Sequence, residues 1–138
     1  MYGKKQLMSV KKHTVFKVAV IEDDAAIRNL YKTKLELENF EVQVASDGAQ
    51  GLALLEAFVP DLVLLDIRMP TMNGDEMLAK VREHTWGASM RVIVLTNISR
   101  DEAPSALRFL GVDRYIVKAH YTPAQVLEIV REVLHIRG

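Results

Sequence analysis

Pro60-Asp61-Leu62-Val63-Leu64-Leu65-Asp66-Ile67-Arg68-Met69-Pro70 is the stretch whose reading decides the fold. Leu62 to Leu65 run apolar without a polar break, as a strand buried on both faces of a parallel sheet does. Arg68-Met69-Pro70 then forces a turn. Asp66 therefore falls at the carboxyl end of a central strand, the edge at which open α/β sheets bind ligands. A carboxylate there is either placed for chemistry or is an ordinary turn former. The remainder of the chain decides between the two.

Working outward, Phe16 to Ile21 reads as a strand, and Ile27, Leu30, Tyr31 and Leu35 recur at helical spacing up to about Asn39. Asp23 or Asp24 can cap that helix. Phe40 to Ala45 is a short strand, Asp47-Gly48 a turn, and Ala49 to Phe58 a second helix that stops before Pro60. Beyond the central strand, Met72-Asn73-Gly74 starts a third helix running to about Glu83, and Arg91 to Thr96 is a strand rich in β-branched residues. Ser99 and Glu102 have the spacing of a capping box, but Pro104 inside that frame removes a helix hydrogen bond. The expectation is a short helix with Pro104 in its first turn, ending before Gly111. Asp113 to Val117 is a fifth strand. Thr122, Pro123 and Gln125 then open a last helix with an apolar stripe of Val126, Ile129, Val130 and Val133. Five repeats of strand then helix predict an α/β fold, a doubly wound five-stranded parallel sheet with helices on both faces. The predicted domain covers residues 15–138. Residues 1–14, with Lys4, Lys5, Lys11, Lys12 and His13 and no acid, are expected to be a mobile basic tail.

The chain has 138 residues, of which 49% are hydrophobic and 26% charged, enough apolar material for one core and little room for a second. Eighteen basic and eighteen acidic side chains cancel, which argues against general capture of nucleic acid or of an anionic membrane. Without cysteine there is no disulfide framework, thiolate zinc site or cysteine nucleophile. The apolar runs are far too short to span a bilayer, so the expected location is the cytoplasm. The four histidines share no metal-ligand spacing and read as surface residues, while the six methionines and Trp86 read as core or edge packing.

Parallel strands point their carboxyl ends the same way, so Glu22, Asp23, Asp66, Thr96 and Lys118 emerge on one rim despite their separation in sequence. Three carboxylates close together repel, and a hard divalent cation resolves the repulsion. Magnesium suits such a site because it binds through few carboxylates and completes its octahedron with water and phosphate oxygens. Aspartate can accept a phosphoryl group covalently, and the transfer requires in-line positioning and cancellation of charge on the equatorial oxygens. Mg2+ and Lys118 could supply that cancellation, with Thr96 bonding a phosphoryl oxygen.

Val20-Ile21-Glu22-Asp23-Asp24, Leu64-Leu65-Asp66-Ile67-Arg68-Met69-Pro70 with Gly74 after it, Val94-Leu95-Thr96, and Gly111-Val112-Asp113-Arg114-Tyr115-Ile116-Val117-Lys118 together resemble the receiver domain of two-component response regulators. The resemblance covers about residues 15 to 136. It implies a flavodoxin-like sheet in the order 2-1-3-4-5 and a phosphoacceptor at Asp66. It further implies Mg2+ held by Glu22, Asp23, Asp66 and the main-chain carbonyl of Arg68, and Thr96 and Lys118 contacting the phosphoryl group. Tyr115 matches the family's aromatic switch, whose ring moves inward as the Thr96 hydroxyl is drawn to the phosphoryl group. The implied partners are a sensor histidine kinase or histidine phosphotransfer protein and a downstream protein target or effector domain. The implied output surface is the fourth helix, fifth strand and fifth helix, about Pro104 to Ile136. No helix-turn-helix or effector enzyme follows, so a complete protein of this length would be a stand-alone receiver. Nothing in the sequence sets an oligomeric state.

Two positions depart from the family pattern. Ala119 stands where receivers usually place proline in a cis peptide; because a cis bond before a non-proline residue costs about 2.5 to 4 kcal/mol, a trans peptide and a rearranged loop from Lys118 to Tyr121 are expected. Asn97 is larger and more polar than the usual residue after the threonine, and is expected to alter the rates of phosphate gain and loss. Other functions fit less well. A magnesium-dependent aspartyl-phosphate phosphatase needs a second acid where Arg68 stands. A flavin module needs a hydroxyl- and glycine-rich phosphate loop where Glu22-Asp23-Asp24 would repel phosphate. A degenerate, non-phosphorylated receiver that only binds protein is the remaining alternative, weakened because every acidic, hydroxyl and lysine position is kept.

Overall fold

The computed structural model describes residues 15–136; the basic segment 1–14, His13 included, lies outside the described residues, as do 137–138. Five strands, β1 (Lys17–Ile21), β2 (Glu41–Ala45), β3 (Leu62–Leu65), β4 (Arg91–Thr96) and β5 (Arg114–Val117), form one parallel sheet in the order β2-β1-β3-β4-β5. The period of two along each strand sorts its side chains between two cores. Ala19, Ile21, Val63, Leu65, Val92 and Val94 face one side, where they meet helices α2 (Gly48–Phe58) and α3 (Gly74–Arg82) through Leu55, Phe58, Met77, Leu78 and Val81. Val18, Val20, Leu62, Leu64, Ile93, Leu95 and Ile116 face the other. There they meet α1 (Ala25–Leu37) through Tyr31 and Leu35, and α4 (Pro123–Leu134) through Val126, Val130 and Val133. Leu62 to Leu65 are thus buried on both faces, as an unbroken apolar run in a central strand requires.

Local signals begin the helices. Asp24 accepts the Ile27 N–H at 3.0 Å at the start of α1, Asp47 the Gln50 N–H at 2.8 Å before α2, and Thr122 the Gln125 N–H at 3.1 Å before α4. Gln125 reciprocates to the Thr122 N–H at 2.8 Å, completing a capping box.

The crossover between β4 and β5 corrects the expected fourth repeat of strand and helix. It contains no α-helix but two 3₁₀ turns, Arg100–Glu102 and Ser105–Phe109, separated by extended Ala103 and Pro104. Pro104 precedes the second turn rather than lying within it, and it disfavours the helical region at Ala103. Ser99 makes no side-chain cap, so its spacing from Glu102 does not form the box. Only Leu107 in the second turn is buried, leaving little apolar burial to extend it. Phe109 is 83% exposed. We call residues 99–111 the strap.

Past β5 the described peptide bonds are all trans, Lys118-Ala119 included, and Lys118–His120 forms another 3₁₀ turn. His84, His120 and His135 are exposed. Met69, Met77 and Met90 are buried, and Met72 and Trp86 pack against the core they share.

Candidate functional site

Glu22 follows β1, its N–H bonded to the Ala45 carbonyl at 3.0 Å, and Asp66 follows β3, its N–H bonded to the Ile21 carbonyl at 3.0 Å. These ladder bonds set the two acids side by side. Both are buried, at 3% and 8% exposure, whereas Asp23 is exposed. Carboxylate oxygens of Glu22, Asp23 and Asp66 lie within 4.8 Å of one another, an oxygen-only donor set that fits a hard cation such as Mg2+.

Lys118 leaves β5, two strands away from β3, yet its Nζ lies 2.7 Å from Glu22 Oε1 and 3.2 Å from Asp66 Oδ2. Strands lie about 4.8 Å apart, so the side chain crosses the end of β4 to make both contacts. Asp66 Oδ1 accepts the Ile67 N–H at 2.7 Å, and Glu22 Oε2 accepts the Asp24 N–H at 3.0 Å. Burial pushes the Glu22 carboxyl up to about 7; the bonds from Lys118 and the Asp24 N–H oppose that shift, and the negative charge of Asp66 reinforces it. Lys118 is raised despite its own burial, because two carboxylates favour its charged form.

Behind Asp66 the chain is shaped by Gly74. Its N–H donates to the Ile67 carbonyl at 2.6 Å, and a side chain there would overlap the Asp66 carbonyl. Asn73 Oδ1 accepts the Met69 N–H at 3.2 Å. The resulting turn holds Arg68 exposed beside Asp66.

Asp66, Arg68, Thr96, Asn97, Ile98 and Glu102 line one cleft of about 270 Å³. Thr96 is buried, and its Oγ1 accepts the Ile98 N–H at 3.4 Å; Asn97 is exposed. Tyr115 is half-buried on β5, not facing Asp66 with its hydroxyl but donating it to the Ile98 carbonyl at 2.7 Å. Burial raises that phenol, opposed by Arg100. The Arg100 guanidinium lies 5.6 Å from the Tyr115 ring centroid and donates to the Tyr115 carbonyl at 3.3 Å. Ala119 is exposed next to Lys118.

Sequence reasoning missed Glu102 in this cleft and Arg28 behind it. Arg28 Nη1 donates to the carbonyls of Glu22 at 2.8 Å and Asp23 at 3.3 Å. The four-residue step from the Asp24 cap to Arg28 carried that signal; Glu102 had none, because its place depends on the strap.

Residues 18–131 match the family model described as the response regulator receiver domain. The chain belongs to that family. A crystal structure of a CheY-like receiver domain protein from Methanospirillum hungatei JF-1 superposes with a TM-score of 0.81 at 32% identity, covering 88% of this chain and 95% of that one. The chemotaxis protein CheY of Halobacterium salinarum is 32% identical over 118 residues, 85% of this chain and 95% of its own. The phosphate regulon transcriptional regulatory protein PhoB of Rhizobium meliloti is 35% identical over 109 residues, 78% of this chain but 47% of that protein. The chain spans about half the length of the curated transcriptional regulators it matches. Receiver domains are phosphoacceptors rather than enzymes in the ordinary sense, and they work between histidine kinases or phosphotransfer proteins and downstream targets. Among the described residues of this receiver domain, no helix is long and apolar enough to cross a membrane.

The raised Glu22 value makes the stability of the metal-free domain depend on pH. Between about 4.5 and 7 the folded state retains a proton that the unfolded chain has released, so Glu22 contributes stability that is lost as pH rises. Over the whole window the size is on the order of 3 kcal/mol, of which about 1 to 1.5 kcal/mol falls between pH 6 and pH 8. Chelated protein should therefore be more stable at pH 6 than at pH 8 by an amount that vanishes in Glu22→Gln. Thermal melts of both proteins check this, and equal slopes would contradict it. Mg2+ binds the charged form, so its addition should stabilise more at pH 8 than at pH 6.

Proposed function

We propose that this receiver domain is a phosphorylation-dependent signalling switch that accepts a phosphoryl group on Asp66 from a phosphohistidine donor. The observation that carries the reading is Lys118 Nζ within hydrogen-bonding distance of both Asp66 and Glu22 at the mouth of a small cleft. Glu22, Asp23, Asp66 and the main-chain carbonyl of Arg68 are the groups that would hold Mg2+. When bound, that ion lowers the repulsion among the carboxylates and the incoming anion. An Asp66 carboxylate oxygen attacks phosphorus, the phosphorus–nitrogen bond of the donor breaks, and the donor imidazole keeps the electron pair. Lys118 then stands beside the transferred group, where its charge offsets that of the equatorial oxygens. Lys118 touches Asp66 Oδ2 and the Ile67 N–H holds Oδ1, so the carboxylate enters the reaction in a fixed orientation.

Thr96 supplies the hydroxyl that would bond the phosphoryl group. Its oxygen also accepts the Ile98 N–H, and the Ile98 carbonyl holds Tyr115. Movement of Thr96 toward the phosphoryl group is thus felt in the Thr96–Ile98 span that holds the Tyr115 hydroxyl. Its two arrangements constitute the switch, biased by whatever the phosphoryl group bonds in one of them. Output then passes through the strap, β5 and α4, where Phe109 is exposed and a cleft of about 750 Å³ lies along Arg100, Pro104, Leu107, Arg108 and Tyr115. That cleft is larger than the one at Asp66, in keeping with a protein partner at one and a phosphoryl group at the other. Asn97 narrows the small cleft, and with Ala119 beside Lys118 it tunes how long the group persists. Autodephosphorylation belongs to the same reading, as does a cytoplasmic location.

Intact mass after incubation with acetyl phosphate and Mg2+ tests the assignment. The wild type should gain one phosphoryl group and Asp66→Asn none, with Asn97→Ala changing the decay time. Equal modification of both proteins, or of neither, would leave a degenerate protein-binding receiver as the better reading.

A further inference from the structure

We infer that Arg28 is a positioning residue for the metal site, presetting the acidic loop from the helix side, although it contributes no ligand. The inference rests on the Mg2+ reading given above. Three carbonyls leave the loop of Glu22, Asp23 and Asp24, and Arg28 occupies all of them. Its Nη1 takes the Glu22 carbonyl at 2.8 Å and the Asp23 carbonyl at 3.3 Å, and its own main-chain N–H takes the Asp24 carbonyl at 2.9 Å in the first turn of α1. The donors of that turn are met separately, by Asp24 Oδ1 on the Ile27 N–H and Glu22 Oε2 on the Asp24 N–H. One side chain therefore fixes the peptide planes on either side of Asp23, whose exposed carboxylate has no hydrogen-bonding partner to orient it among the described residues. Restricting those planes restricts the direction in which Asp23 projects, and a cation meets a loop that need not be ordered on binding.

Two effects of the guanidinium oppose each other. As a positive charge near three carboxylates it competes with Mg2+, so its removal alone would tighten binding. Through the two N–H bonds of one planar nitrogen, Nη1, it holds two carbonyls, so its removal loosens the loop and weakens binding. A lysine keeps the charge and loses that planar donor geometry, which separates the two.

The experiment is Mg2+ titration by calorimetry on the wild type, Arg28→Lys, Arg28→Gln and Arg28→Ala at one pH and ionic strength, with metal-free melts as a control for folding. Loss of a group that orients metal ligands typically lowers affinity about 10- to 100-fold, and Arg28→Lys and Arg28→Ala should both fall in that range. Arg28→Gln, which is neutral but retains an N–H donor, should lie between them and the wild type and preserve the readout if Arg28→Ala fails to fold. Unchanged affinity in Arg28→Lys, or tighter binding in Arg28→Ala, would overturn the inference in favour of a purely electrostatic role. A wild type that binds no Mg2+ at millimolar concentration would instead defeat the metal reading on which it rests.

Discussion

Replacing Arg82 by alanine should lower the unfolding free energy by about 3 to 4 kcal/mol, one of the largest losses expected from any surface-reaching side chain in this domain. Arg82 is the last residue of α3, and its guanidinium gathers carbonyls from two segments, 87–90 and 110–111. Nε donates to Leu110 at 2.8 Å and Nη2 to Gly111 at 3.0 Å, while Nη1 meets Met90 at 2.7 Å, Gly87 at 2.9 Å and Ala88 at 3.4 Å. Burial lowers its pKa, opposed by Asp113. Hydrogen bonds from a charged donor contribute about 1.5 to 3 kcal/mol each. Water can reach part of this site, so the sum is not realised. Gly111, at a φ of +71°, turns the chain so that its carbonyl faces the fork. Truncation leaves these carbonyls half-satisfied and frees the lower end of the strap, which packs on the core only through buried Leu107 and partly buried Ala103 and Leu110. A melting temperature lower by roughly 10 °C is expected for a domain of this size. Lysine should recover little, because a single ammonium cannot serve both Gly111 and Met90. Amide exchange should quicken across 105–111 more than across β3. A loss below about 1 kcal/mol would mean that water replaces these bonds freely.

The strap also shows where sequence reasoning stopped. Leu62 to Leu65 announced a doubly buried strand, and the two cores confirm the alternation residue by residue, because a parallel sheet leaves such a run no polar face. Caps at Asp24 and Thr122 were legible because the partner lies three residues away, whereas Asp47, read only as part of a turn, also caps a helix. Between Asn97 and Gly111 neither signal operates. Ala103, Leu107 and Leu110 offer a weak stripe, Pro104 interrupts it, and what fixes the segment comes from elsewhere: Arg82 from α3, with Tyr115 on β5. Contacts spanning 17 to 29 residues leave no periodicity to read. At the rim, Glu22, Asp66, Thr96 and Lys118 were placed by topology alone. The resemblance to receivers supplied their roles, while the cross-strand reach of Lys118 over β4 is a property of the folded chain alone. Val59 and Thr71, both β-branched and exposed, stand at positive φ, 45° and 64°, against their preference; Val59 does so as the left-handed cap of α2, its N–H on the Leu55 carbonyl.

Replacing Lys118 by methionine should slow phosphorylation by acetyl phosphate roughly 10²- to 10³-fold, the usual effect of removing one preorganised donor from developing negative charge. Mg2+ affinity should not fall, since loss of the ammonium removes a cation that competes with the ion for Glu22 and Asp66. That split separates a phosphoryl-contacting role from a role in building the acidic site, and it can be read by calorimetry on the same samples. The metal-free variant should be less stable than the wild type by as much as about 3 kcal/mol at pH 8, where the wild-type Glu22 and Asp66 are both charged and the variant leaves these buried groups without their counter-ion. Mg2+ should restore much of this loss. Methionine retains most of the aliphatic stem that crosses β4, so packing changes little and the difference reports charge. Equal loss of Mg2+ binding and of phosphorylation would assign Lys118 to holding Glu22 and Asp66 in place. Phosphorylation at the wild-type rate would remove it from the transfer altogether. Either outcome would still leave Asp66 at the mouth of the cleft, with Thr96 and Arg68 as the side chains remaining to oppose the charge of the phosphoryl group.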